Sequence, residues 1–574
     1  MRNSIKIRKI LALITALAIT VTALASCSVI SDTLGFIQDV ISDGGVRQLG
    51  DFNDLTYEKP DFAEIDADIA VLKSALSDGG KTKSYYVDRL EDIVEKYYYN
   101  ALTMENLAFL RYCGNITDSA LRDEYYTLVS KSETTAARLD ELYRVCAASE
   151  YKSDFENELF GAGFFDSYTD DRDGIPPKYT ALREKEAALM SEYSAAMADM
   201  SVEYGGKTYS AADISAVEND ELYYKLVDAY YAKYNPQLAD IYVRLVSVRN
   251  EISAVLGYRS YTDYSFVSYS REYTGSDLES YFAGIKKHIV PLYRQITENI
   301  TSGPMSFPAA TGDRIRYLGR ELAGKMSSRL GRIFSSMEKK HLCSVNSSDK
   351  MYYGSFQVYL NSCDSPYIFI NGEGSEHDVL TLMHEFGHFS SAYFNFGSTG
   401  STDEAEVASS ALELLTLKYA DGVFDSQTAS ALGKSEILSI TSSLVECAAY
   451  TEFENRVYSD PSLTVKKCND YFREIAEEYG ISGNGGGYLS WVMINHLFEY
   501  PYYVAGYSVS ADVALQLFES CDGSIDPYLD FIRLANSGSF LGNISTAGLE
   551  SPFADGRAEK SASVISSLIG KYFS

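Results

Sequence analysis

His384, Glu385 and His388 stand in the order H-E-x-x-H within His384-Glu385-Phe386-Gly387-His388. On a helix, residues four apart share one face, so both imidazoles can reach a single cation. The Glu between them lies beside that cation and can take a proton from water held there. The chemistry such a trio suits is metal-assisted hydrolysis, with Glu385 as general base. Only six His occur among 574 residues, so two of them in this spacing are informative.

Two His leave a tetrahedral zinc site one protein ligand short, the fourth position being kept for water. After a Gly/Ser/Thr-rich loop over residues 395–402, Ser401-Thr402-Asp403-Glu404 has capping-box spacing and predicts a new helix. Glu406 falls in its first turns on an apolar background of Val407, Ala408, Ala411 and Leu412. A carboxylate placed there needs a partner, and a dication is one. Three other acids compete with it. Glu404 is used as the cap, and Asp403 suits the positive helix end. Glu413 is assigned behind a ligand His, orienting the ring. The expected set is His384, His388 and Glu406 around one Zn(2+) per chain.

Composition and the N-terminus say where such chemistry would take place. Arg2, Lys6, Arg8 and Lys9 precede an apolar stretch, Ile10 to Ala25, too short and too rich in small residues for a membrane span. It ends in Leu24-Ala25-Ser26-Cys27, which resembles a bacterial lipobox. Residues 1–26 read as a lipoprotein signal peptide, Cys27 as the lipidation site, and the location as extracytoplasmic, on the cell membrane. The formal charge is −30, and removal of the signal leaves about −34. That excludes nucleic-acid binding by counter-ion release, and the chain would be repelled by anionic lipid, so an anchor has to be covalent. Seven Cys remain after Cys27, scattered and without a C-x-x-C pair, which argues against a disulfide framework.

The elements that must position the site are mostly helical. Residues 27–56 read as a tether. Stripes at Ile65, Ile69, Leu72 and Leu76, at Leu90, Ile93, Val94 and Tyr97, and at Leu139, Leu142 and Val145 have helical spacing. They assign residues 57–205 to an N-terminal helical region and 206–574 to a catalytic region. A short extended excursion is expected around Gly205-Gly206. Tyr352 to Asn371 alternates and then runs apolar, which predicts two strands, with the motif helix following over about residues 376–394. The strand from Tyr367 to Asn371 is the one expected to take peptide backbone by strand addition. Gly483 and Gly485-Gly486-Gly487 form a Gly-rich loop without a phosphate-loop Lys.

His384-Glu385-Phe386-Gly387-His388 followed by Glu406-Val407-Ala408-Ser409 resembles the oligoendopeptidase F and thimet oligopeptidase family of zinc metallopeptidases. Asp378-Val379-Leu380-Thr381-Leu382 resembles the family's lead-in. Trp491-Val492-Met493-Ile494-Asn495-His496 resembles its W-x-x-x-x-H segment, and Tyr500 to Tyr507 its tyrosine segment. The stretch between His388 and Glu406 is shorter than the family pattern by roughly a helical turn or two.

The resemblance implies a mainly α, zincin-type helical peptidase with a small β-sheet beside the active-site helix and a deep substrate channel. It implies a zinc-dependent endopeptidase that hydrolyses short unstructured peptides by Glu385-assisted attack of zinc-bound water. His496 and a Tyr hydroxyl, Tyr503 first and Tyr507 second, are then the expected donors to the oxyanion of the tetrahedral intermediate. Two alternatives stay open: a lipid-anchored zinc carboxypeptidase of related fold, and a peptide-binding lipoprotein with a lapsed site. Retention of Glu385 argues against the second, since binding needs no general base. Oligomeric state is not legible from the sequence.

Overall fold

The structure, a computed structural model, describes residues 47–573 except 169–176, 198–199, 211–212, 215–216, 218, 302–304, 399, 482–486 and 536. The signal segment, Cys27, most of the expected tether, and Gly483, Gly485 and Gly486 lie outside the described residues.

The N-terminal region is built from helices α1 (Phe62–Asp78), α2 (Lys83–Val94), α3 (Leu102–Gly114) and α4 (Ser119–Ala148). Asp61, Thr82 and Asp118 cap α1, α2 and α4 by accepting from the first free backbone N–H groups. A π-helical turn, Glu95–Ala101, joins α2 to α3 without a break. The stripes read from the sequence turn inward as expected. Ile65, Ile69, Leu72, Leu90, Ile93, Tyr97, Leu139 and Leu142 share one core with Tyr86, Tyr143 and Phe155. The expected tether ends earlier than residue 56. The Phe52 ring lies 4.5 Å from that of Tyr367, tilted by 36°, and the Phe52 N–H donates to the Lys340 carbonyl.

Helix α5 (Pro177–Met197) leads into a hairpin of β1 (Ser201–Tyr204) and β2 (Lys207–Ser210). Gly205 and Gly206, both at positive φ, form its two-residue turn. The boundary expected at 205/206 therefore falls inside one hairpin. Helix α6 (Asp220–Val255) and helix α7 (Tyr261–Ser268) follow.

The C-terminal half holds a sheet of β3 (Cys343–Asn346), β4 (Gly354–Leu360) and β5 (Ser365–Asn371), ordered β3-β5-β4. β5 pairs parallel with β3 and antiparallel with β4, and every residue of β5 is buried. This corrects the expectation for Tyr367 to Asn371. β5 has a protein strand on each side and cannot take a third. β4 is an edge strand.

Helix α8 (Asp378–Phe394) carries the motif. Its start is fixed by Asp378, whose buried carboxylate accepts from the N–H groups of Glu373, Gly374 and Ser375, closing the turn out of β5. Helices α9 (Thr402–Tyr419), α10 (Ser426–Tyr458) and α11 (Val504–Ser520) pack beyond it. The seven Cys after Cys27 are free thiols. Among the described residues no helix is long and apolar enough to cross a membrane.

Candidate metal centre

The ligand atoms of His384, His388 and Glu406 lie within 4.8 Å of one another. Glu406 Oε2 is 3.8 Å from Nε2 of each His. A tetrahedral zinc with bonds of about 2.0–2.2 Å sets its ligand atoms about 3.3–3.5 Å apart, so the two Glu–His spacings need only a small contraction. Two imidazoles and one carboxylate are also a donor set suited to zinc. The short connection from α8 to α9 suffices because the two helices nearly touch. A Cβ on Gly387 would sit 2.6 Å from the Ser409 Cα, and closer still to the Ala408 carbonyl oxygen.

The rival acids have other partners. Glu404 closes the predicted capping box with Ser401. Glu413 Oε2 lies 2.9 Å from His384 Nδ1, which leaves Nε2 facing Glu406. Behind it, Glu436 is buried, and burial followed by the Glu413 charge pushes its carboxyl well above the ordinary range. Asp403 differs from the sequence reading. It is not a solvated charge at a helix end but is buried against Arg271 and Tyr273.

Glu385 is buried beside the trio. Its Oε1 accepts from Ser355 Oγ at 2.7 Å, while Oε2 has no hydrogen-bond partner among the described residues. Burial pushes this carboxyl up to about 7, opposed by His384 and by the Ser355 hydrogen bond. Burial disfavours charge on both imidazoles. For His384, Glu413 and the neighbouring carboxylates outweigh it and raise the ring to about 9. Among the described residues His388 has no carboxylate contact as close as that of Glu413 with His384, and burial together with His384 lowers it to about 3.

Facing the trio is the segment after Trp491, whose buried indole is anchored on the Asn469 side chain at 2.7 Å. Tyr503 Oη donates to Glu406 Oε1 at 3.0 Å. The Tyr507 ring lies one turn on, 5.3 Å from that of Tyr503, and the His496 ring lies 5.7 Å from Tyr503 and 5.9 Å from Tyr507. Burial lowers the His496 ring below its ordinary value, so it sits neutral. All the site residues expected on the folded body thus converge on one place. Cys27 is the exception, lying outside the described residues.

Residues 339–561 match the family model described as peptidase family M3, and residues 52–171 match that of the peptidase M3 N-terminal domain. The chain belongs to peptidase family M3. Oligopeptidase PepF of Bacillus subtilis (strain 168) is 24% identical over 205 residues, a stretch covering 32% of this chain and 30% of that relative's own length. Among solved structures, a chain assigned as oligoendopeptidase F superposes with a TM-score of 0.75 at 22% identity, covering 92% of this chain and 99% of its own. PZ peptidase A, solved with an inhibitor, gives 0.74 at 19% identity, covering 91% and 99%. At such identities these structures share the M3 fold with this chain.

Three contributors to the site were missed in the sequence. Ser355 carries a signal that could have found it: Phe356, Val358 and Leu360 on one face of β4 put Ser355 on the other. Gly387 is the fourth residue of the motif, and its smallness is meaningful only once α9 is known to cross there. Arg271 stands outside every motif and left no signal.

Proposed function

We propose that this M3 peptidase is a zinc-dependent oligopeptidase that cleaves short unstructured peptides. The observation that carries the reading is the convergence of His384, His388 and Glu406 beside a Glu385 oxygen with no hydrogen-bond partner among the described residues. Zinc held by those three residues would polarise the scissile carbonyl and make the attacking water more acidic.

The chain's own groups account for the proton and the charge. Glu385 Oε2 receives the proton of the attacking water and returns it to the leaving amine nitrogen. Ser355 holds the other oxygen, so the carboxylate keeps one orientation throughout. The neutral His496 ring supplies a hydrogen bond where negative charge builds on the carbonyl oxygen. The Tyr503 hydroxyl, whose single proton is donated to Glu406 in this structure, turns to donate to the same oxygen, with Tyr507 packed behind Tyr503. β4, the edge strand that also carries Ser355, is the strand placed to align an extended peptide backbone beside Glu385, at its Ser355 end rather than at Tyr359, whose carbonyl accepts from the Asn106 side chain. Cys27 we assign to lipid attachment on the outer face of the cell membrane. Labelled fatty acid incorporated by the wild type and not by Cys27→Ser would support that.

The test is a mixed library of quenched fluorescent peptides offered to chelator-stripped protein and to protein with one zinc restored. Cleavage only in the second, with internal bonds cut equally in peptides with free and amidated C-termini, is the expected result. Loss of cleavage on amidation would instead make the enzyme a carboxypeptidase. No cleavage of any member would overturn the enzyme reading.

A further inference from the structure

Tyr502 is a tyrosine at φ +66°, a backbone conformation that a side chain with a Cβ rarely adopts. Strain of this kind persists only where the surroundings over-determine it, and here every polar group of the residue is held. Its N–H donates to the buried Glu454 Oε1 at 2.8 Å, and its hydroxyl lies 2.6 Å from Thr262 Oγ1. Its carbonyl accepts from Arg271 Nη1 at 2.7 Å.

Arg271 continues beyond Tyr502. Its Nη2 donates to the carbonyl of Tyr503 at 3.2 Å, and its Nε and Nη2 grip both oxygens of Asp403 at 3.0 to 3.3 Å. Asp403 lies on the first turn of α9, three residues before Glu406. Both members of the pair are buried, with 1% side-chain exposure each. A buried pair of this kind adds little net stability over apolar packing, but it fixes geometry. Gly506 lets it fit, because a Cβ there would run into Asp403 and reach within 3.0 Å of Arg271 Nη2.

The contacts close a ring. Tyr503 touches Glu406 through its hydroxyl, and its backbone is tied through Arg271 to Asp403 on the same helix as Glu406. We propose that Arg271, through Asp403 and the strained Tyr502, is a positioning residue that holds the Tyr503 hydroxyl in register with Glu406. This rests on the reading of the site as a peptidase centre. It adds that the geometry of that centre is set by a residue outside both matched family segments.

The test is a double-mutant cycle of Arg271→Lys and Tyr503→Phe on the zinc-loaded full chain, with Asp403→Asn as a second disruption. Hydrogen exchange of residues 500–507 is followed in parallel. Lys keeps the charge but cannot span two carbonyls and a carboxylate at once. Arg271→Lys should lower kcat by about tenfold or more with KM within about twofold. In the Tyr503→Phe background the same change should cost less than about threefold, because the group it positions is gone. Exchange should quicken at residues 500–507 and stay unchanged in α10. Asp403→Asn should do the same. Losses that multiply in the double variant, or exchange that quickens throughout the body, would make Arg271 an ordinary structural residue and overturn the proposal. If the wild type cleaves nothing, the peptidase reading falls, while the exchange experiment still decides whether Arg271 fixes this turn.

Discussion

Gly387 and Ser409 approach so closely that a Cβ on Gly387 would lie 2.6 Å from the Ser409 Cα. That approach lets a carboxylate on α9 reach two imidazoles on α8 despite the short connection. Gly387→Ala should push the helices apart at the point where Glu406 meets the His pair. We expect a stability loss of about 1–3 kcal/mol from overpacking and zinc affinity weakened by at least about tenfold. A thermal melt and a competition titration against a chromophoric chelator would read both. Unchanged affinity would show that the helices can separate without moving Glu406.

Glu385→Gln keeps the shape of the side chain and removes the base. Turnover should fall by about 10²–10⁴-fold with zinc stoichiometry unchanged, measured by metal analysis beside peptide cleavage. Ser355→Ala removes the hydrogen bond that opposes the upward push of burial on Glu385. The carboxyl then rises further, and activity needs it deprotonated. The acidic limb of the kcat/KM profile should therefore move to higher pH than in the wild type. A limb that stays in place would mean that Ser355 does not act on the base.

His384 Nδ1 faces Glu413, and Glu436 faces Glu413 from behind as a neutral acid. Glu413→Ala should weaken zinc binding about 10–100-fold by freeing the ring that presents Nε2. Glu436→Gln exchanges one neutral group for another and should leave zinc affinity little changed. Equal losses in the two variants, read by the same competition titration, would contradict the charge states assigned here.

Much of this arrangement was legible as local pattern. His384, Glu385 and His388 are fixed by helical spacing, Glu404 by its cap, and Glu406 by being an acid on an apolar face. The N-terminal stripes found their core because 3.6-residue periodicity is a property of one helix at a time. What stayed hidden depends on pairing across the fold. β3 is four residues, two of them polar, and becomes a strand only beside β5. Its presence turned Tyr367 to Asn371 from an expected edge into a centre. Asp403 looked like a helix-end charge because its partner, Arg271, lies 132 positions away. The 47 Tyr gained a partial account in the same way: Tyr242, Tyr458 and Tyr502 are rings buried in the core, the Tyr458 hydroxyl accepting from Arg249 and the Tyr502 hydroxyl paired with Thr262, while the Tyr503 hydroxyl reaches Glu406.

Glu454 gives a pH prediction independent of the metal. It is buried on α10, its Oε1 takes the Tyr502 N–H, and Oε2 has no partner among the described residues. Burial pushes its carboxyl up to about 8, against the pull of the Tyr502 N–H, Arg249 and Arg271. The unfolded chain ionises an ordinary Glu near pH 4.3, so between that pH and about 8 the folded form holds a proton that the unfolded form has shed. The stability tied to this proton is fully present below pH 4.3 and drains away as pH rises toward 8, by a few kcal/mol at most. Glu454→Gln keeps an acceptor for Tyr502 and removes the titration. Its melting temperature should fall less than that of the wild type between pH 5 and pH 9, with the two curves diverging toward the alkaline end. Parallel curves would show that Glu454 is ionised in the folded protein, neutralised by the two arginines that flank it.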